Sequence, residues 1–304
     1  MSRTPTLPPG LIVNADDLGI HPSINAGIVS AYCRGIVTSA TMLMTTPYLK
    51  ETVGLVRSGA LPVGIHLSLT LGKAVAPPGE LPDLVDEQGN FTWSSRRLLM
   101  CSFADDAGRR LADQIGRELE AQLGLARDHG LKLTHADSHQ HVHMNPSIFS
   151  MVEALLPRYG VKRLRFSRES VSIKELLELI KQRKPENIAK VALLRWLSRR
   201  VQPRLTTTDD FFGVLFSGTV SKQALIGAVR ALCNDRSLEV CIHPGFPASR
   251  QDATYSLAYV NDFITSAARQ SEHDVLVDQE IAEIVRRRGL VLRSFDGRKA
   301  DACT

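Results

Sequence analysis

Three short apolar runs in this chain of 304 residues end in side chains that can do chemistry: Asn14-Ala15-Asp16-Asp17, Gly64-Ile65-His66-Leu67 and Asp137-Ser138-His139-Gln140-His141-Val142-His143. A carboxylate pair and several imidazoles, brought to one point, would suit a divalent metal with a water beside a base. Each run also has a plainer reading. Asp16-Asp17 could cap a helix and partner its dipole. A histidine inside an apolar strand, as His66 is, is more often a satisfied core residue, and Gly64 before it indicates a close backbone approach. Asp137, His139, His141 and His143 alternate, so in an extended chain they would share one side. Not all of them can hold one metal. A fourth run, Glu239-Val240-Cys241-Ile242, ends in His243 and Pro244-Gly245. Proline stops a ladder there, so His243 is aimed out of the strand end, as a proton donor or, equally, as a capping residue. No Gly-x-Ser-x-Gly elbow and no cysteine in a nucleophile context offer another chemistry.

The elements that must position these groups alternate along the chain. Residues 11–15, 39–44, 63–69, 131–136, 161–166, 211–216, 238–243 and 290–294 read as buried strands. Helices are expected between them, opening at Ser23 in the first case. The longest, over 104–129, carries Leu111, Ile115, Leu119 and Leu123 as one apolar stripe. Residues 71–100, with Pro77-Pro78-Gly79, Pro82 and Gly89-Asn90, read as a long loop anchored by Phe91 and Trp93, of the kind that often serves as a lid. Repeated strand–helix alternation predicts a parallel sheet. Polar residues at successive strand ends fit a single (β/α) barrel of about seven parallel strands with outer helices. A doubly wound open sheet is the alternative, but no Gly-x-Gly-x-x-Gly follows the first strand. One domain over 11–295 is expected, with a flexible tail at 1–10, a basic helical insertion near 170–205 split around Pro185, and a C-terminal tail at 296–304.

Composition excludes several classes. Hydrophobic residues are 43% and charged residues 23% of the chain, as in an ordinary globular protein. The net charge of +5 is local: residues 158–204 hold 14 Lys/Arg against 4 Glu, so the remainder is acidic. A nucleic-acid binder would be basic throughout its binding face, and none is expected here. The basic segment offers a surface for peripheral contact with an anionic membrane face, although Lys190, Arg195, Arg199 and Arg200 spread around a helix axis. Five cysteines without a CxxC suit a cytoplasmic protein with reduced thiols. No apolar run reaches the roughly 18 residues of a membrane span. A homodimer is allowed by these features.

The runs named above, together with Gly35-Ile36-Val37-Thr38-Ser39, Asn14 to Gly19 and Thr134 to Met144, resemble the signature set of the YdjC-like carbohydrate deacetylases, which include chitooligosaccharide deacetylases. The resemblance extends in order from about residue 11 to residue 295. It implies a (β/α) barrel with one divalent metal, magnesium or zinc, acting on an N-acetylglucosamine-type sugar. Carried over by position, Asp17, His66 and His139 match the metal ligands, Asp16 the general base and His243 the general acid. The choice of His139 over His141 and His143 rests on the resemblance alone. Asp137, His141, His143 and Arg165 are left to orient these groups or face substrate. The basic segment is similar to the subgroup associated with hopanoid biosynthesis, as is the loop at Leu81-Pro82-Asp83-Leu84-Val85-Asp86, which would imply a glycolipid substrate. Two other functions fit the same residues: a metal-dependent amidohydrolase or phosphoesterase built on the His-x-His run, and a non-catalytic sugar-binding barrel with a structural metal.

Overall fold

A computed structural model describes residues 4–169 and 185–298. Six parallel strands form one sheet in the order β4-β3-β2-β1-β6-β5. They are β1 (Gly10–Leu18), β2 (Ser39–Met42), β3 (Val63–Leu67), β4 (Ala136–Ser138), β5 (Asp210–Phe212) and β6 (Ser237–Ile242). β1 is central and all nine of its residues are buried. A parallel sheet covered by helices needs such runs, apolar on both faces, and Leu11-Ile12-Val13 supplies one.

Two expected strands enter the sheet differently. Residues 163–169 make isolated bridges, Leu164 with Ala136 of β4 and Glu169 with Phe211 of β5, so this segment touches both edge strands of the curled sheet. Leu292 likewise bridges Leu11. Each contact is too short to continue as a ladder, and among the described residues the regular sheet therefore has six strands where a barrel of about seven was expected. The strand expected at 131–136 begins only at Ala136, because the chain before it runs as irregular backbone.

α1 (Pro22–Arg34), α2 (Leu49–Ser58), α3 (Ser95–Met100), α4 (Asp106–Asp128) and α5 (Pro146–Leu155) follow in chain order. α1 is capped by His21, which accepts from the Ser23 backbone N–H, and not by Ser23 itself. The expected stripe of α4 is buried at all four leucine and isoleucine positions. Later helices span Pro185–Ser198, Lys222–Ala231, Ala258–Thr265, Ala268–Leu276 and Gln279–Arg287. The first part of the basic insertion, 170–184, lies outside the described residues, as does 299–304. The N-terminal tail is held from Pro5 onward, where Leu7 is buried and its N–H donates to the Thr207 carbonyl at 2.9 Å.

The long loop is pinned to α4 and does not hang over the site. Glu118 accepts from the backbone N–H groups of Val75 and Ala76, and Gln114 accepts from that of Asp83. Phe91 is buried, and the Trp93 indole N–H donates to the Asp83 carbonyl. None of residues 71–100 lines the pocket described below.

Gly64 shows why β3 needs a residue without a side chain. A Cβ there would lie 2.5 Å from His135 Nδ1 and 2.7 Å from the His135 carbonyl oxygen. The His135 ring stacks on Phe295 with centroids 3.7 Å apart and bonds Asn14, so it cannot move aside. Gly64→Ala is expected to lower stability by about 1–3 kcal/mol, the usual cost of overpacking. Denaturant titration of the two proteins checks this.

Candidate metal centre and active site

β1 departs from regular pleating where it carries the carboxylates. Ala15 pairs with Ala40 and Leu18 with Met42, so two residues of β1 oppose one of β2. This is a bulge. Asp17 within it has φ 66°, a left-handed conformation that bulky residues avoid. In a regular strand, adjacent side chains would point to opposite faces. The bulge instead lets both Asp16 and Asp17 line one pocket.

His66, near the end of β3, comes between two of the carboxylates. Its Nδ1 is 2.6 Å from Asp137 Oδ1, and its Nε2 is 3.3 Å from Asp17 Oδ1. His139 Nδ1 lies 3.0 Å from the same Asp17 oxygen, and His139 Nε2 is buried with no hydrogen-bond partner. Asp17, His66 and His139 thus offer ligand atoms within 4.8 Å of one another. This donor set fits a divalent cation. Burial alone would lower His66, but Asp137, Asp17 and Asp16 carry it up to about 10, which marks the spot as one where a positive charge is favoured. Asp137 orients His66, as carboxylates beside metal-binding histidines do.

The expected extended run from Asp137 to His143 is not present. β4 ends at Ser138, and a tight turn follows over His139–Met144, with Gln140 and His141 at φ 56° and 62°. The histidines therefore do not share one side. His141 faces the pocket and pairs through Nδ1 with Ser167 Oγ at 2.9 Å. His143 turns away: its Nδ1 meets Ser138 Oγ at 2.6 Å, and its Nε2 meets the Arg165 carbonyl at 3.0 Å. Burial and the Arg165 charge push His143 down to about 3, so it is neutral and donates to that carbonyl.

Arg165 is fully buried. Its guanidinium grips Asp16 with two bonds of 2.7 and 2.6 Å, Asp137 at 2.7 Å and Glu239 at 2.6 Å. Burial would raise the Asp16 carboxyl, but the Arg165 charge holds it well below the usual range. His243 follows β6, its N–H donating to Glu272 Oε2 at 2.7 Å and its carbonyl accepting from Arg269. Its Nδ1 is buried without a partner, and burial keeps the ring below the ordinary imidazole value. Asp16, Asp17, His66, His139 and His243 share a cavity of about 200 Å³ with Tyr259, Phe263 and Lys190.

The profile of a family described as YdjC-like protein matches residues 10–287. The chain belongs to the YdjC-like family. It is 32% identical over 292 residues to the chitooligosaccharide deacetylase of Serratia marcescens, covering 94% of this chain and 97% of that one. It is also 32% identical over 241 residues to a carbohydrate deacetylase of Brevibacillus brevis, covering 78% and 81%. Among solved structures it is similar to an Enterococcus faecalis protein described as a candidate cellobiose-phosphate cleavage protein, with TM-score 0.68, 25% identity and coverage of 97% and 98%.

In this YdjC-like chain the expected residues Asp16, Asp17, His66, His139, His141 and His243 meet at one pocket, with Asp137 and Arg165 behind them. His143 alone stands off. Sequence reasoning passed over Glu239, a carboxylate in a strand buried at every position. Its neighbours Leu238 and Val240 made the run read as apolar, yet a charge inside such a run is itself the signal. Burial raises Glu239 to about 7 despite Arg165, with Asp16 and Asp137 adding to the rise. Folding therefore binds a proton here between the ordinary glutamate range and about pH 7, and this contribution to stability is lost as pH rises through that window. Glu239→Gln lacks the titration. Its melting temperature relative to the natural protein should rise between pH 5 and pH 8, as read by calorimetry.

Proposed function

We propose that the protein is a carbohydrate deacetylase that hydrolyses the N-acetyl group of an N-acetylglucosamine-type sugar. Family membership and the named deacetylase relatives support the reaction class. The observation that carries the mechanism is the convergence of Asp17, His66 and His139 on one point, with Asp16 and His243 lining the same cavity. Asp17, His66 and His139 would hold one divalent ion, zinc or magnesium. When bound, such an ion polarises a carbonyl and lowers the pKa of water.

The chain's own groups handle the protons. Asp16 takes a proton from the attacking water, its carboxylate held in place by the paired bonds from Arg165. A carbon–oxygen bond forms at the acetyl carbon and leaves its former carbonyl oxygen as an oxyanion; when that oxygen re-forms the carbonyl, the bond to the sugar nitrogen breaks. His243 supplies the proton that the departing amine needs. Its backbone is fixed on both sides by Glu272 and Arg269, and its ring stands edge-on to Phe263 at 5.8 Å. Acetate and the free amino sugar are the products. The cavity is of the size of one sugar ring, and Tyr259 and Phe263 give it an apolar wall against which a ring face can rest.

The basic segment and the loop at Leu81–Asp86 support a glycolipid as the physiological substrate. Mass spectrometry for loss of an acetyl group, comparing chitooligosaccharides with an N-acetylglucosaminyl lipid, separates the two. Loss from neither would refute the deacetylase reading. Among the described residues no helix is long and apolar enough to cross a membrane. Five cysteines without a CxxC support a cytoplasmic location, with the basic segment available to an anionic membrane face.

Asp16→Asn should retain metal binding and lose about 10²–10⁴-fold in turnover, the usual contribution of one acid–base group. Asp137→Ala, which frees His66 from its orienting partner, should weaken divalent-metal affinity by about 10–100-fold. Metal titration followed by calorimetry reads the affinity of both variants, and acetate release from a sugar that the natural protein deacetylates reads the turnover of Asp16→Asn.

A further inference from the structure

Lys190 belongs to the helix Pro185–Ser198, on the side that carries the buried residues Val191, Leu194 and Leu197. The spacing of 3 and 4 places these residues on one stripe. Asn187, one turn before, anchors the helix by donating to the Leu215 carbonyl at 3.1 Å. Lys190 therefore faces inward, and its side chain lines the same cavity as Asp16, Asp17 and His243. The exposed charges of this segment, Arg195, Arg199 and Arg200, face water. Among the described basic residues of this helix, Lys190 is the exception.

This inward ammonium has no hydrogen bond and no ion pair with any described residue. The carboxylates it faces are already committed. Asp16 accepts two bonds from Arg165 and one each from Asn14 and Cys241. Asp17 Oδ1 is shared by His66 and His139. Burial depresses the Lys190 ammonium, while Cys241, Asp16 and Asp17 partly offset that effect. Lys190 is part-buried at the cavity, so its ammonium keeps contact with solvent and is held by no described anion. It is therefore free to meet a negative charge that arrives with the reaction. A neutral acetamide brings none at first. Attack by water places a full charge on the acetyl oxygen, and the acetate released afterwards keeps one.

We infer that Lys190 is a catalytic residue that donates to the acetyl oxygen as it becomes an oxyanion and then to the product acetate. The inference rests on the deacetylase reading above. It assigns to the inserted helix a share in the chemistry, beyond any contact with a lipid or a surface. The contact strengthens as the charge develops, so its loss should fall on turnover more than on substrate binding.

The test uses the full chain carrying Lys190→Met and Lys190→Arg. On any sugar that the natural protein deacetylates, Lys190→Met should lose about 10²–10³-fold in kcat, as for removal of one oxyanion donor, with KM changed little. Lys190→Arg should recover part of that loss. Acetate binding, measured by calorimetry on the metal-loaded protein, should weaken at least about tenfold in Lys190→Met, which corresponds to one lost charge-assisted bond. The acetate measurement needs no turnover. If the natural protein deacetylated nothing, the function would be wrong while the acetate comparison still judged Lys190. Unchanged kcat in Lys190→Met, a rise in KM alone, or equal acetate affinity in a variant with an unchanged melting temperature would each overturn the inference.

Discussion

The buried guanidinium of Arg165 holds this structure together at its functional end. It meets carboxylates from β1, β4 and β6 at once: Asp16, Asp137 and Glu239. One positive charge cannot neutralise three negative ones, and the group divides unequally. Asp16 stays ionised, while Glu239 is pushed toward neutrality. Removing one partner from such a buried cluster costs about 3–5 kcal/mol, because an uncompensated charge is left behind. The network also extends outward. Asp137 reaches from Arg165 to His66, and His143 secures the Arg165 carbonyl. The position of Asp16 and, through Asp137, the orientation of His66 thus depend on one side chain.

Backbone strain is concentrated around the same point. Among the described residues, the only non-glycine residues at positive φ are Asp17, Gln140 and His141. Each such residue costs on the order of 1–3 kcal/mol and persists only where its surroundings over-determine it. Asp17 is fixed by two imidazoles, and His141 by Ser167. The strain has a visible result. It turns adjacent residues of β1 to one pocket, and it separates His139, His141 and His143 into three different environments.

The helices divide between support and chemistry. α4 buries its apolar stripe and uses Glu118 and Gln114 to tie down the long loop, none of which lines the pocket. Glu272 and Arg269, from the helix Ala268–Leu276, fix the backbone of His243. Gly27 on α1 packs so tightly on the turn after His243 that a Cβ there would stand 2.4 Å from the Gly245 Cα. The His243 loop is therefore clamped from two sides, which fixes where its imidazole stands in the cavity.

Much of this was legible in the sequence. Alternating apolar runs and helical stripes indicated a parallel α/β sheet, because burial on both faces demands such runs. The strand-end residues Asp16, Asp17, His66, His139 and His243 were identifiable as a set, and they meet at one cavity. The resemblance to the YdjC-like deacetylases separated His139 from its neighbours, which spacing could not do. Local pattern failed where nonlocal contacts decide conformation. A period-2 reading put the three histidines on one side, but the turn after Ser138 is set by Ser138, Ser167 and Arg165. Glu239 and Lys190 looked like a strand residue and a surface charge, because their surroundings come from segments far along the chain. The sequence by itself determined which residues could do chemistry and which elements would carry them. Only the tertiary structure decided which three carboxylates Arg165 holds, which imidazoles share Asp17, and that Lys190 faces inward, because a charge takes its character from neighbours that folding alone brings to it.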